Sequence, residues 1–93
     1  MKAFCRACCL LSLLLVLACA GAPVQEMSDA RQAIHAARDY AERPADRADL
    51  AEAERMLREA EAALEARRYD DARRLAEAAH EGATAVRERA PGQ

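Results

Sequence analysis

The side chains able to do chemistry are few. Cys5, Cys8 and Cys9 form a C-x-x-C-C cluster, the spacing of half a zinc site or of a redox dithiol. Cys19 stands ten residues further on. Ser28, Thr84, His35 and His80 are the remaining candidates apart from carboxylates and tyrosines. The two histidines fall into neither H-x-x-x-H nor H-E-x-x-H, the spacings that set two ring nitrogens on one helix face. There is no glycine-rich loop to cradle a phosphate. A chain of 93 residues with 3% aromatics and no Trp is also too short to wall a pocket off from water. The expectation is a protein that is not an enzyme, with no cofactor, no metal and no small-molecule substrate.

The context of the cysteines removes most of them. Met1 to Arg6 carries Lys2 and Arg6, Ala7 to Ala18 is an uncharged apolar run, and Cys19-Ala20-Gly21-Ala22 follows. Basic, apolar and small-residue regions in that order form the layout of a bacterial secretory signal. The apolar run falls short of the roughly 20 residues that cross a bilayer. Val16-Leu17-Ala18-Cys19 resembles a lipobox, which implies cleavage between Ala18 and Cys19 and acyl chains such as palmitate on Cys19. Ala18-Cys19-Ala20 also fits the A-x-A site of ordinary signal peptidase, which would release a soluble periplasmic protein. On the lipoprotein reading residues 1–18 are removed, taking Cys5, Cys8 and Cys9 with them. Ala20 after the lipidated residue, where Asp favours inner-membrane retention, implies residence on the outer membrane facing the periplasm. Twelve arginines and sixteen acids remain, with no lysine. That net negative charge argues against nucleic acid as a partner.

The rest of the chain must position whatever surface it offers, and its pattern is helical. After a short tether at 19–22, apolar residues recur three and four apart through residues 23–90, with a tail at 91–93. Met27, Ala30, Ile34, Ala37 and Ala41 define a first helix over about 23–42, stopped by Arg43-Pro44. Leu50, Ala53, Leu57, Ala60 and Leu64 define a second over about 46–66, with Asp46 as its N-cap. Tyr69, Ala72, Ala76, Ala79, Ala83, Val86 and Ala90 define a third over about 70–89, stopped by Pro91-Gly92. Gly82 costs that helix roughly 1 kcal/mol. Asp39/Arg43, Glu54/Arg58, Arg55/Glu59 and Asp70/Arg74 are spaced for ion pairs four apart. The fold class is all-α: an alanine-rich antiparallel hairpin of the second and third helices, with the first added.

Hydrophobic residues make up 53% of the chain, yet its mean hydropathy is −0.30, because much of the apolar content is alanine. Only eleven residues after Cys19 are Val, Ile, Leu, Met or Tyr. Such a core is marginal at about 25 cal/mol per Å² of buried apolar surface. Self-association, an envelope protein partner or the membrane supplies the deficit, through an exposed alanine seam or a face drawn from Met27, Ile34, Leu50, Leu57 and Leu64. Leu57, flanked by Ala53 and Ala60, is expected to face Ala72 to Ala83.

Two resemblances follow from these residues. Leu64 to Ala72, continuing to Ala79, resembles the inter-helix turn of a tetratricopeptide repeat, with Tyr69, Ala72 and Ala79 at its aromatic and small positions. Arg67 stands where that repeat has glycine. Pro23 to Ile34, with Leu50, Ala53, Glu54 and the Tyr69-Ala72-Ala76 stretch, resembles small proteobacterial envelope lipoproteins sharing the domain of unknown function 4398. The resemblance implies a helical outer-envelope lipoprotein and brings no catalytic residues; the function expected is a lipid-anchored scaffold or interaction module. The alternatives are a coiled-coil spacer between outer membrane and cell wall, a soluble periplasmic helical protein and a small membrane-active lipoprotein.

Overall fold

A computed structural model describes residues 5–9 and 21–90. The described residues are mostly helical and contain no strand. Helix α1 runs Val24–Ala37 and passes into a 3-10 turn, Arg38–Tyr40; α2 runs Pro44–Glu65 and α3 runs Tyr69–Glu88. Residues 5–9 are also helical and exposed, so the count exceeds the three helices read from the sequence. No described helix is long and apolar enough to cross a membrane.

Side-chain pairs fix the helix directions. Arg31 meets Glu61 at 3.2 Å and Arg38 meets Glu54 at 3.5 Å, so α1 and α2 run antiparallel. Arg73 meets Glu26 at 3.4 Å and the Arg87 guanidinium lies 5.9 Å from the Tyr40 ring centre, so α1 and α3 run parallel. Arg89 meets Asp49 at 2.6 Å, so α2 and α3 run antiparallel. Helix α3 packs extensively on both neighbours, whereas α1 and α2 touch least.

The reason lies in the side chains of α3. Ala72, Ala76, Ala79, Ala83 and Val86 are completely buried. A methyl group at each of four consecutive seam positions lets two helices approach one backbone closely. The same choice hides the alanine seam inside the chain, so it is not an exposed docking surface.

Two boundaries differ from the sequence reading. The first helix leaves α geometry at Ala37, five residues before the expected end, and tightens into the 3-10 turn. Ala41, with φ −85° and ψ 69°, then turns the chain back toward α2. The second helix begins at Pro44, two residues before the expected Asp46 cap. Arg43 is its extended N-cap at φ −78° and ψ 150°, the conformation a residue before proline prefers, and Pro44 takes the first helical position. Proline here opens a helix and does not close the one before it, which has already ended at Ala37.

The α2–α3 turn is closed by backbone geometry. Arg68 N–H donates to Ala63 C=O at 2.8 Å and Arg67 N–H to Leu64 C=O at 3.0 Å, the paired bonds of a Schellman cap. This cap places Arg67 at φ 61°, a left-handed conformation that favours glycine. An arginine holds this conformation at some cost.

Candidate functional site

The structure divides the expected interaction face in two. Met27, Ile34 and Leu50 are 2%, 3% and 7% exposed and belong to the chain's own core. Their apolar surface is used in folding, because α1 lays Met27 and Ile34 against the neighbouring helices. Leu57 and Leu64 are only half-buried, packed at the margin of that core. They are the part of the face left within reach of a partner. The lipidation and cleavage residues, Cys19 and Ala18, lie outside the described residues.

Leu57 is not where its flanks suggest. Ala53, Ala60 and Ala63 are at most 1% exposed; Ala53 lies beside Gly82 of α3, and Ala60 clusters with Ala76 of α3 and Met27 of α1. Leu57 instead lies toward α1, in an open groove of about 380 Å³ shared with Arg31, Ile34, His35, Arg38, Glu54 and Arg58. Alanine on one edge of α2 and leucine on the other rotate the helix so that its small residues face α3.

That groove has an apolar floor, Ile34 and Leu57, and a basic rim. Arg31, His35 and Arg38 are four and three residues apart, which places them on one stripe of α1. That spacing is the sequence signal that links them. Arg31 and Arg38 reach across to Glu61 and Glu54. Arg58 has no ion-pair partner among the described residues. On the other side of α1, a second groove of about 160 Å³ is lined by Glu26, Asp29, Glu77, His80 and Glu81. One helix thus borders a basic and an acidic groove.

A buried charge marks the far end of the bundle. Asp46 is 3% exposed. Arg43 Nε donates to its Oδ2 at 2.8 Å and Arg43 NH2 to its Oδ1 at 3.1 Å, a two-pronged pairing, while Arg89 NH2 lies 3.2 Å from Oδ1. The hydrogen bond from Arg43 holds the Asp46 carboxyl below the usual carboxylate range, against the opposing effect of burial. Because Arg89 ends α3 and Arg43 precedes α2, the cluster ties the inter-helix turn to the end of α3. Its role is structural, and the 43-residue separation of Asp46 from Arg89 kept it out of sight in the sequence.

Most of the expected i,i+4 ion pairs are re-sorted. Arg55 does pair with Glu59, and also with Glu52, which lies below its usual pKa for that reason. Glu54 pairs across to α1, Arg43 pairs forward to Asp46, and Arg74 pairs with Asp71. Tertiary neighbours and three-residue spacing win because these pairs are individually worth only a few tenths of a kcal/mol. No three His, Cys, Asp or Glu side chains gather as a metal-binding group among the described residues. Comparison with protein-family models, characterised proteins and solved structures finds no match to this chain.

Proposed function

We propose that the chain is a lipid-anchored, periplasm-facing helical scaffold or interaction module of the bacterial outer membrane, acting without catalysis. The observation that carries this reading is the apolar run ending in Val16-Leu17-Ala18-Cys19, set four residues before the proline that opens a helical unit. The resemblance of Pro23 to Ile34 to the envelope lipoproteins of domain of unknown function 4398 points the same way. Gly21 approaches the Tyr69 ring, a Cβ at Gly21 lying 3.8 Å from it, so the chain enters the bundle beside the α2–α3 turn. An acylated Cys19 would hold that end of the bundle toward the membrane.

The open grooves suit contact with another macromolecule better than enclosure of a small substrate. The coiled-coil spacer is the weaker alternative, because it requires a continuous seam on the outside, and the alanine seam of α3 is completely buried. Mass spectrometry of the protein purified from its native membrane tests the anchor. The expected result is an N-terminal Cys19 carrying acyl chains, recovered with outer-membrane markers. An unmodified N-terminus at Gly21, or recovery with inner-membrane markers, would overturn the assignment.

A further inference from the structure

We propose that the α1–α2 groove is the docking site for an acidic amphipathic helix of another envelope protein; this rests on the interaction-module reading above and names its partner. The two antiparallel helices, which touch least, leave an open groove spanning about two turns of α1, from Arg31 to Arg38, against Glu54 to Arg58 of α2. Its floor offers Ile34 and Leu57, the second of them half-buried. A helix presenting apolar anchors at i, i+3/i+4 and i+7 matches such a floor.

Charge selects the partner. Arg31, Arg38 and Arg58 border the groove; Glu61 and Glu54 pair with the first two, so Arg58 leaves the rim with an excess positive charge. The whole chain is net negative, and the groove on the other side of α1 is bordered by four carboxylates. An acidic helix is therefore attracted to the α1–α2 groove and repelled from the carboxylate-lined groove at Glu26, Asp29, Glu77 and Glu81. Arg58 has no ion-pair partner among the described residues, and so meets an incoming carboxylate without first breaking a bridge.

A second copy of the chain fits less well. Its acidic surface is itself a groove, lined by Glu26, Asp29, Glu77, His80 and Glu81, with no large apolar side chain to seat on Leu57. The exposed large apolar residues among those described are Val24, Tyr40 and Tyr69, which do not form one helical stripe.

The test uses the full chain in detergent micelles and two designed helices of about three heptads, both with Leu at a and d, one with Glu and one with Lys at e and g. Fluorescence anisotropy at low salt should show the Glu helix binding at least tenfold more tightly than the Lys helix. Arg58→Glu and Leu57→Gln should each lower affinity for the Glu helix at least tenfold, with helical circular dichroism retained. Arg74→Glu, away from the groove, controls for net charge and should change affinity less than threefold. Equal affinity for the two helices, no binding of the Glu helix, or an Arg74→Glu effect as large as that of Arg58→Glu would overturn the proposal. Sedimentation showing self-association that Arg58→Glu abolishes would assign the groove to a second copy instead. If the Glu helix fails while crosslinking in the native envelope maps a partner to another surface, the groove assignment falls and the interaction module stands.

Discussion

Helix α2 makes two contacts that differ in kind. Toward α3 it offers Ala53 and Ala60, all but completely buried against a seam of four fully buried alanines. Toward α1 it offers Leu50, buried beside Ile34 in the shared core, and Leu57, half-buried at its margin, with ion pairs spanning the open part of the gap. Small side chains close an interface because backbones can approach; larger ones hold helices apart unless a complementary surface fills the space between them. The α2–α3 contact is therefore the fold, and the α1–α2 contact is an edge left open. The hydrophobicity of a residue does not by itself say which of these roles it plays.

Adding bulk to the closed contact should do the most damage. Ala79→Leu forces extra atoms into a fully buried seam and is expected to cost about 3 kcal/mol, the upper end for overpacking. In a domain of marginal stability that should abolish cooperative thermal unfolding by circular dichroism.

Asp46→Asn is expected to lower the melting temperature at neutral pH, because Arg43 and Arg89 lose their carboxylate. The sign of its pH dependence follows from the depressed pKa of Asp46. Stability from the ionised carboxylate is fully present above the unfolded value near 3.9 and is lost as pH falls through the folded value below it. The gap between wild type and variant in melting temperature should therefore hold from pH 7 to about pH 5 and shrink below about pH 4. A gap independent of pH would show that the charge on Asp46 is not what stabilises the turn.

Leu57→Ala at the open contact should cost about 1–2 kcal/mol in a denaturant titration, less than the 2–5 kcal/mol of a fully buried leucine. Two substitutions should stabilise. A Cβ at Gly82 would meet that of Ala53 at 3.6 Å, an ordinary contact, so Gly82→Ala is expected to add about 1 kcal/mol. Arg67→Gly relieves the left-handed backbone of the Schellman cap and should add about 0.5–1 kcal/mol, after the greater freedom of glycine in the unfolded chain is deducted.

Much of this was legible in the sequence. Spacing by threes and fours identified the buried faces of α1 from Met27 to Ala37 and of α3 from Ala72 to Val86; Tyr69, expected on the α3 face, is exposed, and Ala41 lies beyond the end of α1. The stripe of α2 was legible too, but not which edge of it meets α3. Periodicity locates a face to within an arc, and leucine and alanine count equally as apolar in it. The end of α1 was missed because no residue between Ala37 and Glu42 is a breaker; the turn is imposed by the return to α2. The basic groove escaped because Arg31, Arg38 and Arg58 come from two helices, and their alignment depends on how those helices pack. Cys19 is read from local pattern alone, since lipidation is chemistry done to a segment before the fold matters.

The comparison rests on which edge of α2 closes the fold, and a pair of unfolding curves tests this most directly. Leu57→Gln and Ala60→Gln place the same polar side chain on the two edges, one turn apart. Leu57→Gln is expected to keep a cooperative transition and its helical circular dichroism, with a loss below about 2 kcal/mol, because a half-buried amide can still reach water. Ala60→Gln should lose cooperative unfolding, because its amide would have to enter a seam with no room and no free hydrogen-bonding partner. Equal losses, or a greater loss at Leu57, would contradict the assignment of the alanine edge to the fold and of the leucine edge to a partner.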